Sequence, residues 1–305
     1  MESTIRDKVS HMYMCGYGFS SFILVLTLFI FLFFRRNVHC SRVRVHVNLY
    51  LAVIFSNIMF MTWYVTVIKD TVVILFNPIW CQVMHVLTYY SIVSSHFWMF
   101  GEGLHLYLAV AFVYSRSKDS LLLFIGIGWV SPVLILAVYS ALRIFYLHDT
   151  ENCWTADSNA FYIITVFVFG ALLISSFLLL NVVCILFQMA RRFPRHNRMI
   201  AMIKATKAAL VLTPLFALHF YLIPMHLSRQ NALQTTYQIL SAVVVTLQGL
   251  SLAITFCFTN QDVIASFRQL FKRRQPENEV NIAMTDMSGA HVPQQVTMLQ
   301  RDVPI

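Results

Sequence analysis

Residues 97–104 read FWMFGEGL and place a single carboxylate, that of Glu102, deep in a long apolar run. From residue 71 to residue 115, Glu102 is the only Asp, Glu, Lys or Arg. About 20 apolar residues are enough for a helix to cross the hydrocarbon layer of a membrane. A charge at the middle of a membrane costs roughly 2.5–3.5 kcal/mol, so such a group faces a helix bundle and pairs with a partner. The stretch therefore predicts a membrane helix bundle with a functional carboxylate inside. Two other interpretations stay open: Glu102 snorkels to the surface, or it is protonated and serves as packing.

The composition of the whole chain agrees with a membrane location. Of its 305 residues, 58% are hydrophobic and only 11% are charged, whereas a soluble domain has about 25% charged residues. The six cysteines show neither a C-x-x-C pair nor the spacing of metal ligands, which argues against a zinc site and a dense disulfide framework. We therefore expect an integral membrane protein without a cofactor, a metal or a nucleic-acid partner.

Apolar runs long enough to cross a membrane recur seven times along the chain. Their apolarity is continuous and does not alternate with period two, which selects helices over strands. The predicted fold is an all-α, seven-transmembrane helix bundle in which Glu102 is the only charged residue within a span. The predicted spans are residues 12–34, 45–68, 79–114, 121–142, 160–190, 208–227 and 232–258.

The distribution of Lys and Arg orients these spans, because cytoplasmic loops carry the excess of positive charge. Basic residues cluster in the segments that follow spans 1, 3, 5 and 7. This pattern predicts an extracellular N-terminus at residues 1–11 and a cytoplasmic C-terminus. After the 12–258 bundle, residues 259–274 alternate apolar and basic side chains and predict an amphipathic helix on the lipid surface. Residues 275–305 are polar and predict a disordered cytoplasmic tail.

Several side chains are candidates for the functional machinery of such a bundle. His46 opens span 2, at a depth similar to that of Glu102 in span 3, so a His46–Glu102 hydrogen bond is expected; the alternative is that His46 faces the headgroups. Cys81 and Cys153 both fall on the oxidising face, where a disulfide between them is permitted and expected. Pro214 predicts a kink in span 6. Candidates for close helix packing are Trp129 and Pro132 in span 4 and Gln248 and Gly249 in span 7.

No enzyme is indicated by the sequence. It contains no P-loop, no G-x-S-x-G, no H-E-x-x-H and no paired carboxylates. A proton- or ion-coupled transporter that uses Glu102 and nearby histidines is a further alternative.

Six stretches in order resemble the secretin-like (class B) peptide-hormone receptors. The amino-acid sequence of the outer loop and of span 5 is most similar to that of calcitonin-like receptors, or of their invertebrate diuretic-hormone and pigment-dispersing relatives. The matching stretches are HCSRVRVHVNL (39–49), FWMFGEGL (97–104), GWVSP (128–132), NCW (152–154), KATK with PLF (204–207 and 214–216), and QG with CFTN (248–249 and 257–260).

This resemblance implies a plasma-membrane receptor into whose outer cavity a peptide hormone or neuropeptide enters. It further implies an outward swing of span 6 and coupling to a heterotrimeric G protein, usually the stimulatory one that raises cyclic AMP. His46 and Glu102 match a polar lock that holds the inactive state, and Arg42 and Asn260 match residues on the G-protein side. Trp154 matches the second outer loop.

Departures from the family pattern indicate an altered lock. Two lock hydroxyls of the family align with Ala209 and Phe256, and its flexible span-6 glycine aligns with Ala217. Its span-5 asparagine aligns with Ser175, and a span-3 tyrosine with His105. Family members also carry an extracellular hormone-capture domain, which is not found before the first predicted span here. The expectation is either a truncated product or a receptor that has dispensed with peptide capture. An alternative function is therefore a non-signalling or constitutively active form that modulates a full-length receptor.

Overall fold

The computed structural model describes residues 2–34, 41–111, 121–156, 158–192, 243 and 249–253. All regular secondary structure in these ranges is helical, as predicted. The helices are α1 (Glu2–Phe34), α2 (Ser41–Trp63), α3 (Thr71–Phe76), α4 (Ile79–Ala111), α5 (Leu121–Ile125), α6 (Ser131–Ala141) and α7 (Phe161–Arg192). Single π-helical turns at Tyr64–Ile68, Gly126–Val130 and Leu142–Tyr146 extend α2, join α5 to α6 and extend α6, and a 3₁₀ turn covers Asn152–Trp154.

Four of the described helical segments are long and apolar enough to cross a membrane. They are Ser10–Phe29, Arg44–Ile68, Leu121–Tyr146 and Phe161–Gln188, and they overlap the first, second, fourth and fifth predicted spans. Their outward faces carry exposed large apolar side chains such as Phe22, Leu122 and Phe177. Such a surface suits contact with lipid. Span 6 and residues 259–274 lie outside the described residues, and so does most of span 7.

Helix α4 is the central element among the described helices. With 33 residues it is long enough to cross a membrane, but it is more polar than the four segments above. It packs against α2, α6 and α7. Its buried face includes Ser91, Ser94, His96, Glu102 and His105. The third predicted span is thus a helix whose polar groups are buried inside the bundle.

Two helical elements extend beyond the predicted spans. The first helix begins at Glu2, and its apolar part, Ser10–Phe29, overlaps the predicted span at residues 12–34. The helical segment over the fourth predicted span, Leu121–Tyr146, continues through the π turn Leu142–Tyr146 and includes Arg143, whose side chain is only 1% exposed. Glu102 is therefore not the only charged residue within a span, because Arg143 finds enough hydrogen-bond acceptors to be buried at the end of this segment.

Candidate functional site

Glu102 and His46 are in direct contact. His46 Nδ1 on α2 lies 2.7 Å from Glu102 Oε2 on α4, and both residues are buried. The two side chains, which the sequence predicts at a similar depth in the membrane, are thus also adjacent in the structure. The distance is that of an ion pair, but neither oxygen of Glu102 receives a well-aligned hydrogen bond within the described part of the chain. The contact with His46 offsets part of the cost of removing this carboxylate from water.

The glycines on either side of Glu102 let neighbouring helices approach it. A Cβ atom on Gly101 would lie 3.6 Å from the Phe124 ring of α5. A Cβ atom on Gly103 would lie 2.7 Å from Ser175 Oγ of α7, which is too close without a shift of the side chain. The glycines of the pattern G-E-G therefore lie where α5 and α7 contact α4. Ser175, where the family has asparagine, is fully packed at this point.

Trp129 connects the segment Leu121–Tyr146 to α2. Its indole Nε1–H donates to Asn48 Oδ1 at 3.1 Å, and its ring meets that of Trp98 edge to face at 6.0 Å between centroids. Ser94 Oγ donates to the carbonyl oxygen of Gly128 at 2.7 Å. A Cβ atom added to Gly128 would collide with the Trp98 ring. The structure therefore places Trp129 at a helix contact. Pro132 is buried at the start of α6, directly after the π turn Gly126–Val130.

Gly249 marks another close contact. A Cβ atom at this position would run into the backbone of Ser20 on α1. The neighbouring Asn57 of α2 donates to Ser21 Oγ at 3.1 Å. These small polar side chains are the type that lets membrane helices pack closely.

At the opposite end of α4, Cys81 and Cys153 form a disulfide. Asn77, which ends α3 with a left-handed backbone (φ 48°), accepts from the backbone N–H of Cys153 at 2.8 Å and donates to the Thr150 carbonyl at 2.7 Å. The loop residues Asn152, Cys153 and Trp154 also have left-handed φ values of 51–60°. Each costs roughly 1–2 kcal/mol for a side chain other than glycine, so this loop depends on the contacts that hold it.

Arg143 supplies most of those contacts. Its guanidinium donates to Tyr139 Oη and to the Trp154 carbonyl, both at 2.8 Å, and to Asp149 Oδ2 at 2.9 Å. It further donates to the carbonyl oxygens of Asp149 and Ala156. The same group lies over the Trp154 ring, 5.2 Å from its centroid. The sequence predicts Arg143 only as a basic residue on the extracellular side. Its position as a single charge at the end of an apolar run is the feature from which a buried role could have been inferred.

Aromatic rings surround His85 near this loop. The ring centroids of Trp63, Tyr89, Tyr139 and Trp154 lie between 4.6 and 6.3 Å from that of His85. His85 Nε2 is 3.1 Å from Tyr139 Oη. The cluster joins α2, α4, α6 and the disulfide loop, and sequence reasoning did not single it out.

Other predicted residues fall outside the described part of the chain. These are Pro214, Gln248, Asn260, Ala209, Ala217 and Phe256, together with Cys40 and Cys257. Arg42 lies in α2, but its side chain is not described. Cys15 and Cys184 are free and exposed, as expected for cysteines that take no part in a disulfide.

Comparison with protein families identifies the class. The family described as 7 transmembrane receptor (Secretin family) matches residues 6–252. The chain belongs to this family of membrane receptors, whose members are not enzymes.

Among individual proteins, the chain is 30% identical over 250 residues to the human (Homo sapiens) calcitonin receptor. This match covers 81% of the chain and 52% of that receptor. It is 27% identical over 288 residues to a calcitonin gene-related peptide type 1 receptor of Danio rerio, with 93% of this chain and 60% of that one covered. A corticotropin-releasing factor receptor 2 of Xenopus laevis is 29% identical over 270 residues, 88% of this chain and 64% of its own length. The chain thus spans less than two thirds of the length of each of these relatives.

Proposed function

We propose that this chain is a peptide-hormone or neuropeptide receptor of the plasma membrane that couples to a heterotrimeric G protein. The observation that carries the proposal is the buried contact between His46 Nδ1 and Glu102 Oε2 at 2.7 Å, in a chain of the secretin receptor family. A carboxylate buried with one close partner favours the helix arrangement in which the contact exists. Any rearrangement that separates α2 from α4 at this level must break it. Such a contact is suited to hold one of two states.

The orientation follows from charge and redox chemistry. A disulfide persists in an oxidising environment, which supports an extracellular position for the Cys81–Cys153 end. The clusters of Lys and Arg between residues 35 and 44 and between residues 191 and 207 then face the cytoplasm. This proposal assigns seven spans to residues 12–258 and a membrane-surface helix to residues 259–274. Residues 275–305 form its cytoplasmic tail.

The two ends then have different partners. At the outer end, the aromatic rings around His85 and the loop held by Arg143 suit contact with an extracellular peptide. At the inner end, Arg42 and Asn260 contact the G protein. The sixth helix, kinked at Pro214, swings outward when the His46–Glu102 contact opens. The stimulatory G protein and cyclic AMP are the expected output.

Expression of the full chain in cells tests this proposal. Cyclic AMP is measured with no peptide and with calcitonin, calcitonin gene-related peptide or corticotropin-releasing factor, the peptides named in its relatives. We expect surface-expressed protein to raise cyclic AMP above that of mock-transfected cells, either basally or after one peptide. Arg42→Ala should lower that signal at equal surface level, and Lys69→Ala, on the outer side, should not. A surface-expressed chain that changes neither basal nor stimulated cyclic AMP contradicts coupling to the stimulatory G protein.

A second candidate function is modulation of a full-length receptor without signalling of its own, or with constitutive activity. The missing lock hydroxyls at Ala209 and Phe256 favour it, because a smaller lock holds one state less firmly. Co-expression with the human calcitonin receptor distinguishes the two functions. A modulator shifts the calcitonin response of that receptor and co-precipitates with it. An unchanged response without co-precipitation excludes this function.

A further inference from the structure

Three ring nitrogens near the disulfide are buried and, within the described residues, have no hydrogen-bond partner. They are Trp63 Nε1, His85 Nδ1 and Trp154 Nε1. Their rings are neighbours, since the centroid of His85 lies 6.0 Å from that of Trp63 and 6.1 Å from that of Trp154. Buried polar groups of proteins nearly always have partners, and each exception requires an explanation. Three exceptions in one aromatic cluster indicate that the cluster binds something.

The chemistry of that occupant follows from which of these nitrogens carry protons. An indole nitrogen only donates. Arg143 Nη1 donates to Tyr139 Oη at 2.8 Å, so the hydrogen of that hydroxyl points to another acceptor. Among the described residues, His85 Nε2 at 3.1 Å is the acceptor in reach. If Nε2 accepts, the proton of the neutral imidazole is on Nδ1. The doubly protonated ring also carries a proton there, so all three unpaired nitrogens are donors.

The donors are held in place by a rigid frame. Arg143 fixes Trp154 through its carbonyl oxygen at 2.8 Å and through the face of its ring. Trp154 itself follows Cys153, which the disulfide joins to the first turn of α4. His85 and Trp154 are each 3% exposed, whereas Trp63, at the end of α2, is only half-buried. Trp63 is therefore the least enclosed residue of the cluster, although its Nε1 atom is buried like the other two nitrogens.

We propose that Trp63, His85 and Trp154 form a hydrogen-bond donor site that takes acceptor oxygens of the activating peptide, either backbone carbonyls or a carboxylate. The site rests on the proposed function as a peptide receptor and specifies the ligand chemistry that it selects. Three unpaired donors in one cluster of the described residues favour oxygen-rich ligand groups and disfavour ammonium groups. Arg143 and Tyr139 act as positioning residues, because they direct the His85 proton to Nδ1.

Nuclear magnetic resonance of the purified full chain in lipid nanodiscs tests the site without any signalling assay. The histidines are labelled with ¹⁵N, and His85 is assigned by the signal that disappears in His85→Gln. The probes are N-methylacetamide, which mimics a peptide carbonyl, and sodium acetate, which mimics a carboxylate. We expect a proton on Nδ1 and none on Nε2, and a saturable shift of the Nδ1–H signal with at least one probe. The probe that acts distinguishes a carbonyl from a carboxylate site.

Two variants separate the site from general effects of mutation. Tyr139→Phe removes only the hydroxyl that donates to Nε2, and it should lower the fraction of His85 protonated at Nδ1. Tyr90→Phe, on the same helix as His85, is the matched control, since it loses a hydroxyl that donates to the Trp129 carbonyl at 3.2 Å and should leave His85 unchanged.

Two results overturn the proposal. One is a His85 ring with an unprotonated Nδ1. The other is a Nδ1–H that contacts a long-lived water molecule and responds to neither probe, which would mean a buried structural water only. Failure of the proposed function is a separate result, since it appears as a lack of cyclic AMP response and leaves these spectra unaffected.

Discussion

The two ends of helix α4 bury charged groups in opposite ways. At the disulfide end, the Arg143 guanidinium has a hydrogen-bond acceptor in each of Tyr139, Asp149, Trp154 and Ala156. At the other end, Glu102 has one close contact, with His46 at 2.7 Å, and no well-aligned donor among the described residues. A fully satisfied buried polar network rigidifies its surroundings. The comparison teaches that, within the described residues, the buried charge at the disulfide end is held by many more partners than the one at the Glu102 end.

The backbone reinforces this difference. The disulfide end adds a covalent link over a sequence separation of 72 residues to a loop with three consecutive left-handed residues. The Glu102 end instead has glycines at 101 and 103, where α5 and α7 contact α4. A change in helix position at this end therefore alters the contacts of Glu102 directly.

Loss of Arg143 should have the largest effect on stability. Arg143→Met leaves the buried acceptors of the loop without a donor, and removal of one partner from a buried pair costs about 3–5 kcal/mol. We expect a clear fall in the thermal stability of the purified protein. Lys69→Met is the matched control, because this exposed cation lies at the same end and its removal should cost less than about 0.5 kcal/mol. Equal melting temperatures for the two variants would show that the disulfide end does not depend on Arg143.

A methyl group at Gly128 should have the next largest effect. In Gly128→Ala the new Cβ atom collides with the Trp98 ring, and overpacking of this kind costs about 1–3 kcal/mol. Gly126→Ala, two residues earlier, meets no atom within 4 Å and should be neutral or slightly stabilising. Thermal unfolding followed by tryptophan fluorescence measures both. If the two variants unfold at the same temperature, Gly128 is not in tight contact with the Trp98 ring of α4.

The hydrogen bond from Trp129 Nε1 to Asn48 Oδ1 should have the smallest effect of the three. Trp129→Phe keeps an aromatic ring but removes the donor, and a bond of this type contributes about 1 kcal/mol. A double-mutant cycle with Asn48→Ala isolates the pair. We expect the loss in the double variant to be smaller than the sum of the two single losses. Strict additivity would mean that the two side chains do not interact.

Much of this architecture could be predicted from the sequence, because apolar length and isolated charge are local signals. The helices over the first five predicted spans follow from continuous apolarity, and the proximity of His46 to Glu102 follows from their depths in antiparallel helices. The role of the glycines beside Glu102 could not be derived in this way. It depends on which side chains of α5 and α7 face them, here Phe124 and Ser175.

The disulfide end was harder to predict for a physical reason. Arg143 was taken for a charge outside the bundle, since the cost of burying it is visible in the sequence but its compensation is not. That compensation comes from the acceptors Tyr139, Asp149 and Trp154, two of them in the following loop, and they meet Arg143 only when the loop folds back. Similarly, nothing in the spacing of Trp63, His85 and Trp154 indicates that their rings form one cluster.

The central claim is that the His46–Glu102 contact holds one state of a receptor whose disulfide end is fixed, and Glu102→Gln tests it most directly. Basal cyclic AMP is measured per receptor at the cell surface, with Glu151→Gln as the control for the same chemical change at an exposed site. Because the neutral amide weakens the attraction to His46, we predict a rise in basal signal of about threefold or more at unchanged surface expression, equivalent to a bias of roughly 0.7 kcal/mol. Glu151→Gln should match the unmodified chain. An unchanged basal signal, or a collapse of surface expression in Glu102→Gln alone, would contradict the claim and make Glu102 a structural residue.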